Sequence, residues 1–160
     1  MWPTLNYTPA ESTLENAVGR LTQYIEEVPA QLSGLSEAEW QQKSPRKWSK
    51  KELLGHLVDS ALNNLKRFTE AQFGPEPYTF VSYRQNELVM VNAYQNLPAE
   101  HLLRLWQALN RQIIYVVRDL PDMARQRKVL VKGSDGPPHT LSWLIQDYVG
   151  HMEHHLKALL

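Results

Sequence analysis

The stretch SKKELLGHLVDSALNNLKRF, residues Ser49 to Phe68, decides how the rest of the chain is read. Its first four residues have the pattern of a capping box. The Ser49 hydroxyl accepts from the backbone N–H of Glu52, and the Glu52 carboxylate reaches back to the N–H of Ser49. From there Leu54, Leu57, Val58, Ala61, Leu65 and Phe68 recur at the 3.6-residue period until Gly74 stops the helix. A helix of that length with one apolar face must bury it against other elements, so the neighbouring elements set the fold class.

Those elements also read as helices. Thr8, Pro9 and Glu11 in "TPAE" form a second capping box, followed by Leu14, Ala17, Val18, Leu21 and Ile25 on one face, with Pro29 expected to end the helix. Ser36 to Glu39 repeats the pattern and starts a short helical turn. A short helix is expected over Tyr83 to Tyr94. A long one opens at Pro98, runs through Leu102, Leu105, Leu109, Ile113, Val116 and Val117, and closes at Pro121. The last starts near Thr140 and runs to the C-terminus. "GPEPYTF" (Gly74–Phe80) and "KGSDGPPHT" (Lys132–Thr140) read as loops. The only β-like run, "RKVLVKG" (Arg127–Gly133), is too short to build a sheet. Four long amphipathic helices predict an all-α fold, an antiparallel four-helix bundle with short extra helices, in one domain spanning residues 1–160.

Composition removes several function classes. Lysine plus arginine and aspartate plus glutamate are each 17 in 160 residues, so no basic surplus is left to neutralise phosphates, and nucleic-acid binding is not expected. With no cysteine, the chain has no disulfide framework, zinc–thiolate site or thiol nucleophile of its own. No membrane span is expected, because no window approaches the roughly 18 apolar residues it needs. The first residues lack a signal-peptide pattern, so a cytoplasmic location is expected.

The histidines carry the chemistry. Three of the six fall within five positions of "DYVGHMEHHLKALL", Asp147 to Leu160. At about 100° per residue, His155 falls inside the apolar stripe of this last helix, His151 at its edge, and His154 away from it. His151 and His155 are thus an i,i+4 pair, the spacing by which two imidazoles on one helix reach a common metal. The bland alternative is a pair of partly exposed histidines favouring the helix C-terminus. Asp147, one turn earlier, either accepts a ring N–H from His151 or lies in solvent. A further ligand is needed from elsewhere. His101 and His139 read as surface residues. His56 belongs to a polar stripe of Glu52, His56, Asp59, Asn63 and Arg67, and by periodicity alone such a stripe is the solvated side of its helix.

"PRKWSKKELLGHLVDSALNNLKRF" followed by "HTLSWLIQDYVGHMEHHLKAL" resembles the DinB/YfiT-like superfamily of metal-binding four-helix bundles. The shared pattern is a Trp-Ser helix start, "GHL.D", an arginine further along the same helix, and "H..HH" in the last helix. The resemblance implies a metal triad of His56, His151 and His155 facing a cleft, with His154 a bystander, and it also implies a homodimer. It draws attention to Asp59 and Arg67 as catalytic candidates. Asp59 is then either an acceptor behind a ligand or a tie to a neighbouring helix. Arg67 either binds an anionic substrate group or forms an internal ion pair, the latter being expected. Trp48 and Trp143, at helix starts, are expected to be packing residues.

Three imidazoles with coordination positions left open suit a divalent first-row ion, with nickel and zinc leading. The leading functional reading is an enzyme in which that ion activates a water or a small thiol cosubstrate, as a hydrolase or a thiol S-transferase acting on a small molecule. A non-catalytic metal- or ligand-binding stress-response bundle uses the same residues, and only turnover separates the two. A purely structural module predicts dispensable histidines.

Overall fold

In the computed structural model, which describes residues 13–160, the chain runs α1 (Leu14–Leu32), α2 (Glu37–Gln41), α3 (Lys50–Glu70), β1 (Tyr78–Phe80), α4 (Gln85–Val91), a 3-10 turn (Tyr94–Asn96), α5 (Ala99–Val117), α6 (Asp122–Arg125), β2 (Lys128–Val131), β3 (His139–Thr140) and α7 (Leu141–Leu159). The four long helices α1, α3, α5 and α7 form the bundle. Both α5 and α7 touch α1 and α3, so the consecutive helices α1 and α3 lie on a diagonal.

Helix direction follows from contacts at the ends. The Lys50 ammonium, at the start of α3, bonds the Leu159 carbonyl at the end of α7, so these two run antiparallel. Pro29 and Leu32 at the end of α1 line the same groove as Pro98 and Ala99 at the start of α5, which makes that pair antiparallel as well. By contrast α3 and α5 begin at the same end, where the Ser49 hydroxyl meets Gln95. The longer connections let neighbours run parallel.

Local chemistry accounts for most helix starts. At α3 the capping box is formed, with Ser49 Oγ accepting from Glu52 N at 3.1 Å and Glu52 Oε2 accepting from Ser49 N at 2.9 Å. A second box starts α2 at Ser36, and Thr140 caps α7. Thr13 caps α1, while the Thr8–Glu11 box lies outside the described residues. The core contains Leu21, Ile25, Leu54, Leu57, Phe68, Leu102, Trp106, Ile113, Ile145 and Leu156, all buried.

Four expectations need correction. Pro29 does not end α1, which continues to Leu32. A proline inside a helix orphans the carbonyl four residues back, and here Gln107 Nε2 of α5 bonds that Ile25 carbonyl at 2.7 Å. Two further helices are shorter than expected. Helix α4 stops at Val91, and Ala93 then takes a left-handed conformation (φ 51°) before the 3-10 turn. Helix α5 stops at Val117, and Pro121 caps α6 instead.

The fourth concerns the β-like run, which does build a sheet. Tyr78–Phe80 pairs in parallel with Val129–Val131, and Lys128–Val129 pairs antiparallel with His139–Thr140. The partners come from the two expected loops, so no local pattern announces them. Arg127 fastens this sheet to the end of α3, bonding the Ala71 carbonyl at 2.6 Å and the Gly74 carbonyl.

Candidate metal centre

Because α3 and α7 are antiparallel, the second turn of α3 lies beside the last turns of α7. His56 from α3 meets His151 and His155 from α7, and one ring nitrogen from each lies within 4.8 Å of the other two. The His151 and His155 Nε2 atoms are 3.0 Å apart. Two nitrogens bound to one ion at about 2.0–2.1 Å stand roughly 2.9–3.4 Å apart for bond angles between octahedral and tetrahedral. The pair has that spacing. The His56 ring centre is 5.3 Å from that of His151 and 4.7 Å from that of His155, both edge-on.

The electrostatics agree with the geometry. His56 is fully buried, and among the described residues neither ring nitrogen has a hydrogen-bond partner. A buried polar atom left unmatched costs about 1–3 kcal/mol, so this imidazole is a group in want of a partner. Burial, with His155 beside it, pushes the His56 pKa down to about 4. Burial and then the neighbouring imidazoles push His151 down to about 3, and burial with His154 pushes His155 down to about 4. All three rings are therefore neutral at pH 7, the state in which imidazole offers a lone pair to a cation. The donor set fits a divalent first-row ion, and three imidazoles leave coordination positions that the protein does not fill.

The polar stripe of α3 is not its solvated side. His56, Asp59 and Arg67 are buried, because α4, the 3-10 turn and the loop after β1 cover them, and the exposed face carries Leu62, Lys66 and Thr69. His151 is more buried than His155, the reverse of the helical-wheel order, since α3 packs over that edge of α7. His154 is exposed, as are His101 and His139.

The remaining candidates take definite places. Asp59 Oδ1 accepts from the Tyr94 hydroxyl at 2.6 Å and from Asn92 Nδ2 at 3.1 Å, tying down the segment between α4 and α5, while Oδ2 is buried without a partner. Burial raises the Asp59 pKa against the pull of those two donors. Arg67 forms no ion pair among the described residues, contrary to expectation. Its guanidinium donates to the Val81 carbonyl at 3.0 Å and lies 4.2 Å from the Phe80 ring centre, two electron-rich partners that take the place of a carboxylate. Asp147 is half-buried, and burial pushes its pKa up to about 6. Trp143 is not core packing. It is 37% exposed and stacks on His139 at 3.7 Å.

Two residues beside the centre escaped the sequence reading. Trp48, expected only to pack, has its ring 5.0 Å from His56. Tyr83, read as a helix start, has its ring 6.4 Å from His56. The "WS" before the α3 cap was a signal for the first. For the second there was none, because the contact is made across the fold.

Comparison with known proteins gives the same architecture. The model of the DinB superfamily matches residues 20–159. Among solved structures, the chain is similar to YfiT from Bacillus subtilis, described as a probable metal-dependent hydrolase with an unusual four-helix bundle topology. The TM-score is 0.77 at 23% identity, covering 93% of this chain and 87% of that one. It is also similar to a mycothiol-dependent maleylpyruvate isomerase, with TM-score 0.67 at 20% identity, covering 91% of this chain but only 60% of the isomerase. These likenesses are likenesses of fold. No curated protein matches the chain.

Proposed function

The chain belongs to the DinB superfamily, and from that premise we propose that it binds one divalent ion, nickel or zinc, through His56, His151 and His155 and acts as a metal-dependent enzyme on a small molecule. The observation that carries the reading is the convergence of three neutral imidazoles from two helices, one of them buried with no other partner. An ion held there would lower the pKa of a bound water or thiol and supply a nucleophile at neutral pH. A hydrolase uses the water and a thiol S-transferase uses the thiol. Since the chain has no cysteine, that thiol arrives as a low-molecular-weight cosubstrate.

The chain's own residues do the positioning. Asp59 anchors Tyr94 and Asn92, and so holds the wall of the site that precedes α5. Arg67 holds the loop after β1. Asp147, with its raised pKa of about 6, is the carboxylate suited to exchange a proton near neutral pH. A homodimeric state goes with the same proposal and is read by sedimentation.

Metal analysis of tag-free protein tests the reading. The wild type is expected to hold about one first-row ion per chain and His155→Ala to lose it. A wild type that takes up neither nickel nor zinc would overturn it. A metal-loaded protein that turns over neither thiol acceptors nor hydrolysable esters and amides would leave a binding protein in place of an enzyme.

A further inference from the structure

The segment KSPRKWSKKE, Lys43 to Glu52, leads into the cap of α3 and carries five cations against one carboxylate, in a chain with 17 residues of each sign. Folding accounts for three of the five. Lys43 pairs with Glu52 at 2.7 Å, Lys51 pairs with Glu37, and Lys50 bonds the Leu159 carbonyl. Arg46 and Lys47 are exposed, and among the described residues their side chains form no ion pair. Nor does the backbone ask for an arginine there. The Lys47 N–H donates to the Ser44 carbonyl at 3.1 Å, closing a four-residue turn with Pro45 second and Arg46 third. Arg46 has φ 63°, the left-handed region. Positive φ at the third place of a turn favours glycine or asparagine, and a long side chain there is strained.

The same turn lines an open hollow of about 620 Å³ together with Lys43 and Trp48. Trp48 is half-buried, and its ring lies 5.0 Å from the His56 ring. One indole thus joins the two places: it lines the basic hollow and stands against the three-histidine centre. A guanidinium and an ammonium on adjacent residues match a carboxylate, the first through paired N–H groups and the second as a point charge. We propose that the turn Ser44–Lys47 is the anion subsite of the centre. Arg46 and Lys47 bind the carboxylate of a small substrate or thiol cosubstrate whose reacting end sits at the histidines, and Trp48 is the surface along which the ligand's chain lies. This rests on the metal reading above.

The test uses cobalt(II)-loaded protein in about 0.15 M salt, where exposed charges act strongly only within about 8 Å. Two thiols of equal length, 6-mercaptohexanoate and 6-mercaptohexan-1-ol, are titrated through their thiolate-to-cobalt absorption. Arg46→Asn keeps a residue suited to positive φ, and combined with Lys47→Gln it removes both charges. The preference for the carboxylate over the alcohol is expected to be about fivefold greater in the wild type than in the double variant, the size of two exposed ion pairs. Trp48→Leu, with its cobalt content checked, should weaken both thiols alike. A wild type that takes up no cobalt removes the metal reading and this inference together. A preference equal in wild type and double variant, or a cobalt centre that binds neither thiol, overturns the inference alone. Thiol affinities untouched by Trp48→Leu would remove the role given to the indole.

Discussion

Substituting alanine for Gly55 sets two effects against each other, and the structure says which is larger. In a helix interior alanine is more stable than glycine by about 0.5–1 kcal/mol, so propensity alone predicts a gain. A Cβ at this position would stand 2.1 Å from Tyr94 Cδ2 and 2.2 Å from its Cγ, far inside contact distance. Tyr94 has little freedom to withdraw. It is 5% exposed, and its hydroxyl is bonded to Asp59 at 2.6 Å and to Asn92 at 3.0 Å. Inserting a methyl into a packed core costs about 1–3 kcal/mol. Pulling Tyr94 off Asp59 adds about 1.5–3 kcal/mol for a hydrogen bond to a charged group. The net loss is then roughly 2–5 kcal/mol, which for a chain of this size lowers Tm by something on the order of 10 °C.

Urea unfolding followed by circular dichroism reads this directly, for the wild type, Gly55→Ala, Tyr94→Ala and the double variant. In the Tyr94→Ala background the two ring contacts are gone and only the Cβ of residue 94, 2.8 Å away, still crowds the new methyl, so Gly55→Ala should cost clearly less than it does in the wild type. A Gly55→Ala single variant as stable as the wild type, or more so, would refute the reasoning. It would mean that the 3-10 turn is not held against α3 as closely as described.

His154→Ala should take up nickel or zinc as the wild type does, because that side chain is exposed; metal loss comparable to His155→Ala would count against the proposed triad. For metal-free protein, the His56 pKa of about 4 lies below its ordinary 6.5, so the unfolded chain takes the proton first as pH falls. The contribution is whole above pH 6.5 and is lost toward pH 4, on the order of 3 kcal/mol for this residue. Between pH 7.5 and 4.5 the stability difference between wild type and His56→Phe, read from urea midpoints, should therefore move by that amount in favour of the variant, and an unchanged difference would contradict the burial argument. Gln107→Leu leaves the Ile25 carbonyl without its bond and should cost about 1 kcal/mol. That penalty should shrink in Pro29→Ala, where a backbone N–H returns, and an equal penalty in both backgrounds would disprove the link.

Helix existence was legible wherever capping and period coincided. Ser36, Ser49 and Thr140 cap the helices that their sequence patterns predict. What escaped was set by partners distant in sequence. Pro29 reads as a stop because a proline normally orphans a carbonyl, and nothing near it reveals that Gln107 takes up the bond. The strand at Lys128–Val131 is too short to stand alone, and its support comes from Tyr78–Phe80 and His139–Thr140. Within the site, the His151–His155 spacing was readable from one helix. His56 entered only through a family resemblance, because its own helix argued for solvent.

The reason for that last failure is physical and bears on the site itself. Period analysis assumes a helix with one face in water, but α3 is covered on both sides, by α5 and α7 and by the segment from β1 to the 3-10 turn. A stripe that is polar yet buried needs partners in whatever covers it. Asp59 takes Tyr94 and Asn92, and Arg67 takes the Val81 carbonyl. His56 alone among them has neither nitrogen bonded. Polar contacts thus hold the cover on α3 along its length, and the one member of the stripe without such a contact is the one that faces His151 and His155. An apolar stripe would pack the cover as well. It would leave no imidazole in place for an ion.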